Sequence, residues 1–210
     1  GATTAVCLLL GYPAALAIAR ASPARRALGL ALISAPLWTS FLIRIYAWMT
    51  LLQTHGLINT ALLRLGLVDA PLPLLHTPGA VLVGLVYGYL PFMVLPLVAV
   101  LSRMDPALPA AAADLGAGPW TVLWRITLPL SAPGIWAGCV LVGVPALGEF
   151  VVPDLLGGPG TSMPGKLIWE EFFFSRDWPT AAALACLLLA AAIAPALWIE
   201  RRAGARAALP

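Results

Sequence analysis

Few side chains in this sequence are equipped for chemistry, and their positions restrict what that chemistry is. Two ionisable residues, Arg44 and Glu149, interrupt long apolar runs. A charge at the centre of a membrane span costs about 2.5–3.5 kcal/mol on insertion scales, so such residues face a bundle interior or water rather than lipid. Taken as straight helices rising 1.5 Å per residue, the two runs put Arg44 about 25 Å and Glu149 about 24 Å from the inner ends of their spans. That common depth predicts a mutual ion pair, or a carboxylate facing a pathway for a cation. The alternative is that each side chain snorkels to the outer interface. Tyr46 and Trp48, on the run that holds Arg44, and Asp154, just past Glu149, complete the candidate lining of the pathway. Pro145 removes a backbone donor and frees a carbonyl one turn before it, so a kink, or a broken helix beside the Glu149 carboxylate, is expected there.

The residues of soluble enzymes are missing from usable positions. Cys7, Cys139 and Cys186 sit in apolar runs with no Cys-x-x-Cys pair and read as small buried hydrophobes. His55 and His76 have no ligand spacing, so no metal site is expected. Residues 160–167 approach the phosphate-binding pattern G-x-x-x-x-G-K-[ST], but Leu167 replaces the magnesium-binding hydroxyl and Pro164 removes a backbone N–H. No strand precedes the run, and Lys166 is the only lysine. The chain is therefore expected to carry no catalytic group and no cofactor of its own.

The elements that must position these residues follow from composition. Of 210 residues, 61% are hydrophobic and 10% charged, with mean hydropathy +0.93. A soluble domain has about 25% charged residues, so this chain lacks the charge to cover a wetted surface. The net charge of +3 comes without a basic cluster interleaved with aromatics, which argues against nucleic acid as a partner. The remaining class is an all-α integral membrane protein, a polytopic helical bundle in a lipid bilayer. Five apolar segments approach the roughly 20 residues a span needs: 3–19, 27–52, 79–101, 133–152 and 179–199. Residues 1–210 then form one transmembrane domain. The first segment is short and the chain is apolar by Ala5, so a further span is expected before Gly1.

Alternate connections share a side of the membrane. One side collects Arg20, Arg25, Arg26, Arg103, Arg125, Arg201, Arg202 and Arg206, and the other only Arg64, Lys166 and Arg176. The positive-inside rule places the first set, with the C-terminus, in the cytoplasm. Residues 53–78 and 153–178 are then extracytoplasmic loops. Within them, residues 57–67 (LINTALLRLGL) and 164–175 (PGKLIWEEFFFS) read as short interfacial helices or as aromatic-belt anchors.

The cytoplasmic connection, residues 102–130, is long for a linker. Asp105 and Pro106 form a helix start, and residues 107–115 are rich in alanine. Gly116 stands where a left-handed cap would end that helix. Gly118 and Pro119 open a second helix over 120–127, which Pro129 is expected to stop. A helix–turn–helix of this size points to docking on a cytoplasmic partner.

This loop resembles the cytoplasmic signature of binding-protein-dependent ABC importer permeases: Glu-Ala-Ala, three residues, Gly, nine residues, Ile, one residue, Leu-Pro. Ala111, Ala112, Gly116, Ile126, Leu128 and Pro129 match in register; Ala110 stands in place of the family's Glu, and Asp114 keeps an acidic group in the loop. SFLIRIYAWMTLLQTHGLIN (40–59), LPFMVLPL (90–97), PALGEFVVPDLLGG (145–158) and SRDWP (175–179) are similar to the spermidine/putrescine branch of these permeases. The resemblance implies a permease fold that forms a solute pathway, for polyamines or a similar small solute. It also implies an inner-membrane location, a second permease subunit, cytoplasmic ATPase subunits that hold ATP and Mg, and an extracytoplasmic solute-binding protein. The first loop helix would be the coupling helix, docked on the ATPase. A stand-alone secondary transporter or channel is the alternative, but no internal repeat supports it. A membrane enzyme would need clustered reactive groups that the spans lack.

Overall fold

The structure, a computed structural model, describes the backbone of residues 1–207 and the side chains of residues 1–194. Among the described residues every regular element is helical. In chain order these are α1 (Ala2–Arg20), α2 (Pro23–Ser34), a 3₁₀ turn (Ala35–Trp38), α3 (Phe41–Leu52), α4 (Leu57–Arg64), α5 (Pro78–Leu101) and α6 (Ala107–Asp114). There follow α7 (Pro119–Val122), a π turn (Leu123–Thr127), α8 (Leu128–Leu130), α9 (Ala132–Gly148), α10 (Val151–Leu155), α11 (Pro164–Glu170), a second π turn (Glu171–Ser175) and α12 (Trp178–Ala207). The chain divides into two compact units, Gly1–Thr39 with Val86–Gly143, and Ser40–Leu85 with Val144–Pro210.

The first unit is built on α1, α5 and α9. Cys7, Ala15 and Ala19 of α1 meet Met93, Val94, Leu97 and Val98 of α5, with Val142 of α9 completing the core. In lipid the apolar effect does not drive helices together, so close backbone approach at small residues has to. Gly134 and Gly138 of α9 both face α5: a Cβ on Gly138 would lie 2.6 Å from the Met93 sulfur, and one on Gly134 would lie 3.1 Å from the Pro96 carbonyl. Two hydroxyls inside this unit satisfy one another. Ser131 Oγ donates to the Leu128 carbonyl (3.1 Å), which leaves the Tyr12 hydroxyl to donate to Ser131 Oγ (2.9 Å). Arg26 donates to the Ala19 carbonyl at the end of α1 (2.7 Å), satisfying an acceptor the helix end leaves free.

In the second unit, Asn59 is fully buried on α4 and ties the outer connection together. Its amide donates to the Leu72 and Gln53 carbonyls, and its oxygen accepts from Leu72 N–H at 2.9 Å. The leucines of the same segment, Leu57, Leu65 and Leu67, are exposed. Gly84 of α5 admits Leu156 and Val152 against the helix. Asp177 caps α12, accepting from Thr180 N–H (3.1 Å) and from the Thr180 hydroxyl (2.7 Å).

Helices α1 and α5 are long and apolar enough to cross a membrane uninterrupted, and the apolar part of α12, Trp178–Ala194, is shorter. The expected span 27–52 is not one helix. Pro36 supplies no N–H, the chain tightens into a 3₁₀ turn, and Thr39 and Ser40 are extended before α3 begins. The expected span 133–152 also departs from the reading: α9 carries Pro145 inside it, ends at Gly148, and bends by 66° from the preceding helical stretch. Arg201, Arg202 and Arg206, which contribute to the inside assignment, lie beyond the side chains described here.

Candidate functional site

The candidate residues fall into two groups. Those of the 102–130 loop lie in the first unit, and those of the pathway lie in the second.

In the loop, Asp105 Oδ1 accepts from Ala107 N–H at 2.9 Å, which starts α6 from the expected carboxylate one residue later than the sequence pattern implies. The alanine run then propagates α6 with the best helix former. At its end Gly116 N–H reaches the Ala113 carbonyl (2.9 Å) and Ala117 N–H reaches the Ala112 carbonyl (3.0 Å). This pair of bonds is a Schellman cap, and it places Gly116 at φ +83°, a region glycine alone enters freely. Gly118 and Pro119 open α7 as expected, with Val122 N–H on the Gly118 carbonyl (3.0 Å).

Pro129 does not stop the second helix. The chain widens into the π turn, Leu128 N–H bonds back to Leu123, and Pro129 sits inside α8. Proline's missing donor and its ring displace the carbonyl one turn earlier, and a wider turn absorbs that defect within a helix. The bend falls at Ser131 instead.

The two halves of the signature have opposite settings. Leu128 and Leu123 pack against the core of the first unit, and Ile126 is half-buried. Ala110, Ala111, Asp114 and Gly116 are exposed, and Ala112 is half-buried. Leu108 is 48% exposed, Leu115 89% and Trp120 71%. The second half anchors the loop, while α6 presents an apolar face that none of the described residues covers. Beneath α6, an open recess of about 370 Å³ is lined by Pro109 and Ala113 together with Leu16 and Arg20 of α1. Ala110 is exposed, so exchanging the family's Glu for Ala leaves no internal hole.

In the second unit α3 packs beside α10, which brings the run of Arg44, Tyr46 and Trp48 next to the element that carries Asp154. Glu149 is not embedded in a helix. It stands at the break between α9 and α10, and its Oε1 accepts from Val151 N–H (3.0 Å) and Val152 N–H (3.5 Å). The carboxylate thus lies at the N-terminus of α10, where exposed amides favour negative charge. The structure does not join Arg44 to Glu149. The guanidinium lies over the Phe41 ring, 5.5 Å from its centroid, and the equal-depth estimate fails because both runs are broken. Asp154 instead pairs with Lys166 (3.4 Å), which also approaches Glu170 (3.7 Å). Those contacts occupy the one lysine of the phosphate-loop look-alike.

Sequence reasoning did not find the Asn59 clamp, the Lys166 ion pairs or the aromatic stack of Phe150 on Trp169 (5.6 Å). A lone Asn among the leucines of an apolar helix was the available signal for the first. The i,i+4 spacing of Lys166 and Glu170 was the signal for one ion pair; the Lys166–Asp154 and Phe150–Trp169 contacts join residues farther apart, so no local pattern marks them.

Comparison with known proteins follows the same lines. Residues 8–202 match the family model for the binding-protein-dependent transport system inner membrane component. The chain is 46% identical over 184 residues to the spermidine/putrescine transport system permease protein PotB of Haemophilus influenzae, covering 88% of this chain and 64% of that protein. It is 46% identical over 185 residues to PotB of Escherichia coli, covering 88% of this chain and 67% of that one. The chain thus spans about two thirds of the length of these relatives. Its fold is similar to a chain in the crystal structure of a bacterial alginate ABC transporter in complex with an alginate pentasaccharide-bound periplasmic protein. The TM-score there is 0.68 at 23% identity, covering 93% of this chain and 73% of that one. With a family match that runs through nearly all of its length and the loop signature in register, the chain belongs to the family of binding-protein-dependent transport system inner membrane components.

Proposed function

We propose that this chain is the transmembrane permease subunit of an ATP-driven ABC importer for polyamines or a similar small cationic solute. It provides part of the solute pathway and catalyses nothing itself; ATP and Mg bind to partner ATPase subunits in the cytoplasm. A second permease subunit completes the pathway, and an extracytoplasmic solute-binding protein delivers the cargo. Residues 102–130 are the cytoplasmic coupling loop of one transmembrane domain, residues 53–78 and 153–178 face the other side, and the C-terminus is cytoplasmic.

The observation that carries this reading is the setting of α6: a capped alanine helix, anchored behind by Leu123 and Leu128, with Leu108 and Leu115 uncovered. An apolar helix face on a loop that also carries Arg103, Asp105, Asp114 and Arg125 is a surface for a protein partner rather than for lipid tails. Rigid-body movement of the docked ATPase then displaces α6 and rocks the spans. In the pathway, Glu149 and Asp154 supply negative charge for an ammonium group, and Tyr46 and Trp48 supply aromatic faces for it. Arg44 borders the same wall. The spermidine/putrescine names of the relatives support the solute class.

The test is reconstitution in liposomes of the full-length chain with its second permease, ATPase and binding protein, followed by uptake of labelled spermidine. Uptake that requires ATP and every subunit is expected. Flux through the isolated chain without ATP would make it a secondary transporter or channel and overturn the proposal.

A further inference from the structure

The recess of about 370 Å³ beneath α6 changes polarity along the axis of α1. Arg20, the last residue of that helix, is the one polar side chain in its lining; Leu16, Pro109, Ala113, Val122 and Leu123 make most of the rest. Leu16 lies one turn before Arg20, about 6 Å deeper along a helix long and apolar enough to span a membrane. Arg20 is exposed, and among the described residues it makes no ion pair and no side-chain hydrogen bond. Arg26 brings a second guanidinium to the same helix end, where it donates to the Ala19 carbonyl (2.7 Å). The C-terminal end of α1 offsets only about half a charge. Neither Asp105 nor Asp114 lines the recess. Trp120 and Trp124, which flank its wall on α7 and the π turn, are both exposed. Tryptophans exposed beside the end of a span mark the headgroup level of a bilayer.

We propose that this recess is a site for an anionic phospholipid of the leaflet on the loop's side. Its phosphate accepts from Arg20, and the head of an acyl chain lies against Leu16, Val122 and Leu123. The inference goes beyond the importer reading and requires only that the chain sits in a bilayer. A lipid carries a negative group and, one helical turn deeper, an apolar one, which is the order the recess presents. A water-soluble partner has no means of placing an apolar group at the depth of Leu16. Arginine bonds phosphate through two parallel donors, and its apolar stem reaches up from the span to do so. A lipid seated there fills the space between α1 and α6 and braces the loop. It leaves Leu108 and Leu115 uncovered, because neither lines the recess.

The experiment uses the full-length chain, purified in mild detergent and delipidated, then mixed with phosphatidylglycerol or with dioleoylglycerol, which has the tails without the phosphate. Native mass spectrometry reads the lipid retained per chain. Wild type is expected to hold one phosphatidylglycerol, at least fivefold more than dioleoylglycerol, and to keep it against a large excess of inorganic phosphate. Arg20→Gln is expected to lose at least fivefold of it. Arg20→Lys keeps the charge without the planar fork and should retain about half. Ala113→Trp fills the recess with Arg20 intact and should also lose at least fivefold. Undiminished retention by Arg20→Gln or Ala113→Trp overturns the proposal. So does equal retention of dioleoylglycerol, which makes the site one for tails alone, or displacement by inorganic phosphate, which makes it one for a free ion. A wild-type chain that holds no phosphatidylglycerol overturns it as well, whatever else covers the recess. Circular dichroism and monodisperse elution check each variant. If Arg20→Gln misfolds, loss by Arg20→Lys or retention by Ala113→Trp is the overturning result. Failure at this site leaves ATP-dependent uptake, and so the importer reading, untouched.

Discussion

Glu149 separates charge from structure within one side chain. Its Oε1 holds the first amides of α10, and a glutamine can offer the same oxygen without the charge. Glu149→Gln should therefore leave the fold intact, with a thermal midpoint close to wild type. Spermidine uptake should fall roughly tenfold, the equivalent of about 1.4 kcal/mol. Unchanged uptake would remove Glu149 from the pathway. Asn59 is the opposite case, a side chain with a purely structural task. Asn59→Ala leaves the Leu72 N–H and two carbonyls without their partner in a buried setting. Each such orphan costs about 1–3 kcal/mol, so a clear drop in the thermal midpoint of the purified chain is expected. A midpoint equal to wild type would mean that water replaces the amide.

At the scale of elements, α6 and its turn test the coupling reading. A Cβ at Gly116 meets nothing within 4 Å, so the cost of a side chain there is conformational. Left-handed backbone costs a β-branched residue about 1–2 kcal/mol or more. Gly116→Val should release the ATPase in co-purification while the chain still inserts in the membrane. Gly118→Ala should behave as wild type, because Gly118 has φ −66° and open space around it. Equal ATPase retention by both variants would detach the turn from docking. At the head of α12, hydrogen bonds from the Thr180 hydroxyl and then the Thr180 N–H hold the Asp177 carboxyl below its usual range. A depressed carboxyl stabilises the fold above its unfolded value, and that contribution is lost as pH falls through the folded one. The protection of Thr180 and Ala181 against hydrogen exchange, taken relative to the intrinsic rate at each pH, should therefore fall on acidification. Asp177→Asn should flatten that dependence; an unchanged profile would rule out the carboxylate as its source.

The same elements show where sequence reading succeeds. Asp105, Gly116 and Gly118–Pro119 were legible because caps and turns are local: each needs one residue type within a few positions of its partner. Pro129 misled because a π turn absorbs a proline that would otherwise end a helix. The breaks at Thr39–Ser40 and after Gly148 were hidden by composition, since apolar residues continue through both. A window long enough to find a span averages over an interruption of two residues. The missing Arg44–Glu149 pair follows from that error, as its only support was a depth counted along unbroken helices.

On the scale of the molecule, the candidate residues fall in two groups. The loop residues Ala110, Ala111, Ala112, Asp114, Gly116, Ile126, Leu128 and Pro129 belong to one compact unit, and Arg44, Tyr46, Trp48, Glu149 and Asp154 to the other. The account depends on α6 being held by an ATPase. The direct measurement is disulfide cross-linking between Leu115→Cys and cysteines introduced along the ATPase surface, in the assembled transporter with Cys7, Cys139 and Cys186 removed. It is run without nucleotide, with ATP, and with the cycle trapped after hydrolysis. An adduct with the ATPase in every state, its position shifting with the nucleotide, is the predicted result. No ATPase adduct in any state, with Leu115→Cys open to a soluble thiol reagent throughout, would contradict the account.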